Sequence, residues 1–124
     1  MVNRTMTTLS PLAYGYLRDE LLVGVELPRC DQRLIAIARR MGFDMAAIFH
    51  ERTDFSSIVP GAFLDLVQEC RRARARMVFT LPGHIAGLTV PAASLLNVLA
   101  DRGEAAVFEV PESAWRDPWG PAWL

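Results

Sequence analysis

Lysine is absent from this sequence; all 13 basic residues are arginine. Together with the abundance of alanine, this fits the drift of a GC-rich coding sequence better than a functional choice. A basic excess is also absent, since 14 acidic residues leave a formal net charge of −1. Proteins that live on nucleic acid usually carry a clear positive balance, so whole-chain electrostatics argue against DNA binding. Cysteine is scarce. Cys30 and Cys70 lie far apart and form no Cys-x-x-Cys pair, which reads as two reduced, half-buried thiols in a cytoplasmic protein. A lone disulfide is the alternative, and no secretion signal supports it. The opening MVNRTMTTLSPLAYG lacks the apolar run of a signal peptide. No stretch approaches the ~20 apolar residues of a membrane span. Glycine-rich phosphate loops are missing, because PGHIAG has no lysine or hydroxyl partner. No Gly-x-Ser-x-Gly elbow surrounds Ser56, Ser57 or Ser94. No metal-ligand spacing occurs, so neither a metal nor a cofactor is expected.

What is present is a core. Hydrophobic residues make up 52% and charged residues 22%, the profile of one compact domain rather than a disordered chain. Residues 1–11 are polar and threonine-rich and read as a flexible arm. Residues 12–110 alternate apolar runs with amphipathic segments, and 111–124 form a tail rich in tryptophan and proline. The strand Leu12–Leu17 leads through a loop to a helix over Arg29–Met41, where Pro28 suits the first turn and Gly42 the end. Its apolar positions Leu34, Ile35, Ile37, Ala38 and Met41 recur at helical spacing. A second strand, Phe43–Phe49, precedes the polar loop HERTDFSSIV and a helix over Pro60–Ala75, with Phe63, Leu64, Leu66 and Val67 on its inner face. Then come a strand at Met77–Leu81 and a helix over Pro91–Arg102. That helix carries Leu95, Leu96, Val98 and Leu99 inward and ends at Gly103; a last strand follows at Ala105–Val110. Apolar strands alternating with helices predict an α/β three-layer sandwich with a mostly parallel four-stranded sheet, joined by right-handed crossovers.

In such a sheet, ligands gather beyond the carboxyl ends of the strands. Arg18 and Glu20 follow the first strand, His50, Glu51 and Asp54 the second, and His84 the third. Arg18, Glu20, His50, Glu51 and His84 are therefore expected to share one cleft able to take an anion or small ligand. The plainer reading makes them ordinary polar loop residues, with Arg18 pairing with Asp19, Glu20 or Asp54 to fix the loops. The run RRARAR, Arg71–Arg76, is the one basic cluster. It reads as a solvated helix end that complements the dipole; an acidic partner or RNA is the alternative, weakened by the lack of interleaved aromatics. Trp115, Trp119 and Trp123 recur every four residues, but Pro118 and Pro121 break any helix there. They are candidate anchors for a protein partner or a second copy, or a cover for the chain's own sheet edge.

The order of elements and a few residues resemble the catalytic domain of the serine recombinases, the resolvase and invertase family; a generic flavodoxin-like domain is the structural alternative. The family's first strand reads Tyr-x-Arg-x-Ser, and here it reads Tyr16-Leu17-Arg18-Asp19-Glu20. Gln32 matches an early glutamine in the first helix, Val59-Pro60-Gly61 an Arg-Pro-Gly lead into the second, and ADRGEAAVFEV the closing helix end and strand. The segment Leu81–Ala86 stands where the family has Leu-Asp-Arg-x-x-Arg.

The departures fall on the chemistry that the resemblance implies. Strand exchange needs a serine nucleophile and several arginines that stabilise the charge building on the DNA phosphate. Glu20 takes the serine position, Pro82 and Gly83 replace Asp and Arg, and Ala86 and Val59 replace arginines. Only Arg18 is kept from the phosphate-binding set. A chain of 124 residues is also expected to lack the family's long helix and DNA-binding segment. The expectation is a resolvase-like, non-enzymatic interaction or regulatory module that self-associates. A small-ligand or phosphate-binding protein, with or without a different chemistry, is second, and an active recombinase last.

Overall fold

The computed structural model describes residues 10–22, 27–52, 61–85, 91–111 and 113–114. Four strands, β1 (Leu12–Arg18), β2 (Asp44–Glu51), β3 (Met77–Thr80) and β4 (Ala106–Glu109), form one parallel sheet in the order β2-β1-β3-β4. Three helices connect them: α1 (Leu27–Arg40), α2 (Gly61–Ala73) and α3 (Ala92–Val98). A 3-10 turn, Asp19–Leu21, follows β1, and a π-helical turn, Leu99–Gly103, extends α3. The chain steps from β1 out to β2, then reverses past β1 to β3 and β4. Crossovers of a single hand then require α1 on one face and α2 and α3 on the other, and the core divides that way. Ala13, Leu17, Leu34, Ile37, Phe79 and Val110 cluster under α1. Tyr14, Tyr16, Phe63, Leu66, Val78 and Leu99 cluster under α2 and α3.

The β2 strand is longer than its apolar run. Parallel pairing continues through Leu17↔His50 and Arg18↔Glu51, so His50 and Glu51 end a strand rather than begin a loop. Backbone bonds to β1 do not depend on side-chain polarity, so the strand continues where composition predicts a polar loop.

Helix inner faces are narrower than the sequence suggests. Phe63, Leu66, Val67 and Cys70 are buried at i, i+3, i+4 and i+7, whereas Leu64, a step round the helix, is exposed. Leu96 is exposed beside buried Leu95 for the same reason, and Met41, past the end of α1, is exposed too. Cys30 and Cys70 are fully buried and unbridged, rather than half-buried.

Two helices end with the same hydrogen-bond pattern and different residues. At α1, Gly42 takes φ +90°, the Phe43 N–H donates to the Ala38 carbonyl at 2.9 Å and the Gly42 N–H to Arg39 at 3.0 Å. At α2, the left-handed residue is Arg74, φ +57°; the Ala75 N–H donates to Cys70 at 3.0 Å and the Arg74 N–H to Arg71 at 3.4 Å. Both are Schellman closures, which favour glycine at this position. Helix α2 therefore stops at Ala73, two residues earlier than its composition implies. After α3, the left-handed residue is Glu104, φ +55°, not Gly103. Gly103 serves close approach instead, since a Cβ there would lie 3.4 Å from the Val67 carbonyl oxygen on α2 and 3.0 Å from Leu99.

Candidate functional site

The carboxyl ends of β1 and β2 carry the titratable residues, and strand alternation separates them. On β1, Tyr14 and Tyr16 face α2 and α3 while Ala13 and Leu17 face α1. On β2, Phe49 and Glu51 share the α2 side, and Ile48 and His50 the α1 side.

Glu51 is buried and fully engaged. Its carboxylate accepts the Tyr16 hydroxyl at 2.8 Å, the Phe63 N–H at 3.0 Å and the Ala62 N–H at 3.2 Å. Ala62 and Phe63 open α2, so a side chain from β2 satisfies donors that the first helical turn leaves without intrahelical partners. The negative charge also suits the positive end of the helix. Burial, and then the Glu51 carboxylate, push the Tyr16 phenol far above its ordinary range.

His50 lies between two carboxylates on the other side. Its Nδ1 is 2.6 Å from Asp19 Oδ1 and its Nε2 is 2.7 Å from Asp31 Oδ1. Both ring nitrogens can donate together only in the imidazolium. Burial opposes that charge, but the hydrogen bonds and charges of Asp19 and Asp31 outweigh it and raise the His50 pKa. One side chain thus ties the end of β2 to the turn after β1 and to the first turns of α1.

His84 has the opposite character. It is buried, and its Nδ1 accepts the Arg18 backbone N–H at 2.9 Å. That bond requires a bare Nδ1 and leaves the proton on Nε2. Burial, reinforced by the Arg18 charge, depresses its pKa to about 4 against a weaker pull from Asp19. The imidazole is neutral at pH 7 and sits where β1 and β3 diverge. Just below it the Thr80 hydroxyl donates to the Tyr16 carbonyl at 2.6 Å, fastening β3 to β1.

Arg18 meets Glu20. Its Nη2 lies 3.0 Å from Glu20 Oε1 and its Nε donates to the same oxygen at 3.1 Å. The guanidinium is well shielded, with 11% of the side chain exposed, against 31% for Glu20. Of the pairings expected for Arg18, the Glu20 one is formed.

The five residues thus share one end of the sheet but not one arrangement. Arg18, Glu20 and His84 are brought together, Glu51 is turned into the α2 core, and His50 is clamped on the α1 side. Asp31 was missed by the sequence reading. The spacing offered a signal, because a parallel β1–β2 pair brings the start of the connecting helix back beside the end of β2. Among the described residues no group of three His, Cys, Asp or Glu is placed to hold a metal ion. Asp54, Ser56, Ser57, Val59, Ala86 and the three tryptophans, Trp115, Trp119 and Trp123, lie outside the described residues.

The strand order and the two-sided helix cover can be set beside solved structures. The crystal structure of the C-terminal catalytic domain of ISC1926 TnpA, an IS607-like serine recombinase, superposes with a TM-score of 0.62. The match covers 83% of this chain and 72% of that one at 14% identity. The fold is resolvase-like. At this identity the likeness is one of architecture, and it agrees with the order of elements on which the resemblance partly rests. No protein-family model matches the sequence, and no curated protein matches it either.

Proposed function

We propose that this resolvase-like domain carries out no strand exchange and works as a protein-interaction or regulatory module, self-associating in the cytoplasm. The observation that supports this most directly is the pairing of Arg18 with Glu20, 3.0 Å apart. In the resemblance, Arg18 is the retained phosphate-binding arginine and Glu20 takes the place of the nucleophile. A carboxylate there engages the guanidinium that a DNA phosphate would need, and adds a negative charge that repels it. His84 supports the same reading, because it lies buried and bonded to the Arg18 N–H at the junction of β1 and β3, the switch point where α/β sheets usually bind ligands. The unbridged, buried thiols fit a reducing compartment. Among the described residues no helix is long and apolar enough to cross a membrane.

Supercoiled plasmid incubated with the full chain tests the first half of the proposal. The expected result is no nicking and no covalent protein–DNA adduct, for the wild type and for Glu20→Ser alike, since Pro82 and Gly83 replace further catalytic groups. An adduct on wild-type protein overturns it. Sedimentation of the full chain and of a version ending at Pro111 tests self-association: dimerisation is expected, and loss on truncation would assign it to the tryptophan tail. If both stay monomeric and a small anion displaces Glu20 in an Arg18-dependent way, the domain is instead a ligand-binding protein.

A further inference from the structure

At the opposite end of the sheet, before β3 and β4 begin, a cavity of about 280 Å³ is lined by Cys70, Arg71, Arg74, Arg76, Gly103 and Glu104. Its two walls are the chain leaving α2 and the chain leaving the π turn. Arg74 and Glu104 are the only non-glycine residues at positive φ among the described residues, and both line this cavity. A left-handed conformation is unfavourable for an ordinary residue, because its Cβ crowds the following carbonyl oxygen, and glycine escapes that crowding. Strain of this kind collects at functional positions, and an observed outlier is a reason to look for a function. The contrast with α1 sharpens the point, because the same closure there uses Gly42.

The charge of the cavity is specific. Three arginines and one glutamate line it, an excess of two positive charges. Arg71 leans on Glu104, with a 4.0 Å separation, and its Nη1 donates to the Arg102 carbonyl at 3.4 Å. Arg74 and Arg76 make no ion pair among the described residues. Neighbouring Arg72 is held bidentately by Glu69 and turned to that partner. Helix carboxyl ends ordinarily repel anions, but the carbonyls of Cys70, Arg71 and Leu99 accept bonds from Ala75, Arg74 and Ala105, and that of Arg102 accepts from Arg71. Those four carbonyls are therefore already engaged.

We propose that this cavity is a binding site for a compact phosphate dianion, a phosphomonoester or inorganic phosphate, held by Arg74 and Arg76 with Arg71 at the rim. The volume lies just under the roughly 300 Å³ at which sites for drug-sized ligands begin, so a single phosphoryl group fits better than a whole nucleotide. Guanidinium forks match phosphate oxygens geometrically. The chain's net charge of −1 argues against a polynucleotide, for which a longer basic surface is needed. The site is separate from Arg18, which lies at the carboxyl ends of the strands.

The test is titration of the full chain with inorganic phosphate at constant ionic strength, read by amide NMR shifts and by melting temperature. Wild type is expected to show saturable shifts at Ala75, Arg76 and Ala105 and a phosphate-dependent rise in Tm that chloride does not reproduce. Arg74→Gly removes the charge and relieves the backbone, so its Tm without phosphate should equal or exceed the wild-type value. Its phosphate affinity should fall by about tenfold or more, the scale of a lost charged hydrogen bond. Arg76→Gln should weaken binding similarly, and Arg18→Ala should not. Absence of saturable shifts in wild type, or undiminished binding by Arg74→Gly, overturns the proposal. So does binding that Arg18→Ala abolishes, which would move the anion to the other end of the sheet. Arg74-dependent binding of a single-stranded oligonucleotide that free phosphate fails to displace would reassign the cavity to a nucleic-acid backbone, and that also overturns it.

Discussion

Inside the domain the Glu51 Oε1 accepts both the Tyr16 hydroxyl at 2.8 Å and the Phe63 N–H at 3.0 Å, while its Oε2 accepts the Ala62 N–H at 3.2 Å. A charge that the sequence offers to a surface cleft thereby joins the sheet to a helix. Glu51→Ala leaves a buried phenol and two helix donors without their acceptor. The expected loss is about 3 kcal/mol in urea unfolding. Glu51→Gln keeps an acceptor oxygen and should cost roughly 1–2 kcal/mol. Equal, negligible losses would mean that water replaces the carboxylate readily.

His84 makes the fold acid-sensitive. Its pKa is about 4 in the folded chain against an ordinary 6.5. Between these values the unfolded chain binds the extra proton, so acid favours unfolding. The contribution is complete above about pH 6.5 and is lost as pH falls towards 4, amounting to up to about 3 kcal/mol. His84→Asn keeps an acceptor for the Arg18 N–H and cannot titrate. Urea unfolding across this window should show a shallower slope for the variant, and nitrogen NMR should find wild-type Nδ1 unprotonated at pH 6.

His50 works in the other direction. Its folded pKa is raised above 6.5, so its stabilisation is full below that value and is lost as pH rises through the folded pKa. With His84 losing its contribution on the acid side, these two side chains together place a stability maximum near pH 6.5. Asp31→Asn should lower the His50 titration midpoint in proton NMR and flatten the alkaline decline. An unchanged midpoint would mean that Asp19 alone holds the charge.

Gly15 has no room for a methyl group. A Cβ there would lie 2.9 Å from Ile48 Cγ1 and 2.9 Å from Leu34 Cδ2. Gly15→Ala is expected to cost about 1–3 kcal/mol by overpacking, measured by thermal or urea unfolding. Ile48→Ala should then cost less in the Gly15→Ala background than in the wild type, the sign of coupling expected for atoms competing for one space.

The alternation of apolar strands and amphipathic helices was legible residue by residue. Phe63, Leu66 and Val67 repeat at helical spacing, and Val78 and Phe79 sit in a short apolar run. Composition failed where polar residues keep strand pairing, at His50 and Glu51, and where Arg74 takes a backbone state that sequence patterns assign to glycine. The candidate site was legible as a set of positions at one end of the sheet. Its partnerships were not, because Glu51 with Tyr16, His50 with Asp31 and Arg18 with His84 are separated by 35, 19 and 66 residues.

Local patterning alone specifies an α/β domain with its charged residues at the strand ends, because hydrophobic periodicity and helix-ending residues act over a few neighbouring positions. What those charges do depends on contacts between residues far apart in the chain. Strand parity sends His50 and Glu51 to opposite faces, and burial holds His84 neutral while two carboxylates favour the charged form of His50. The Schellman turn at Arg74 and the left-handed Glu104 meet across one cavity because β3 and β4 begin side by side, a proximity that no local pattern encodes.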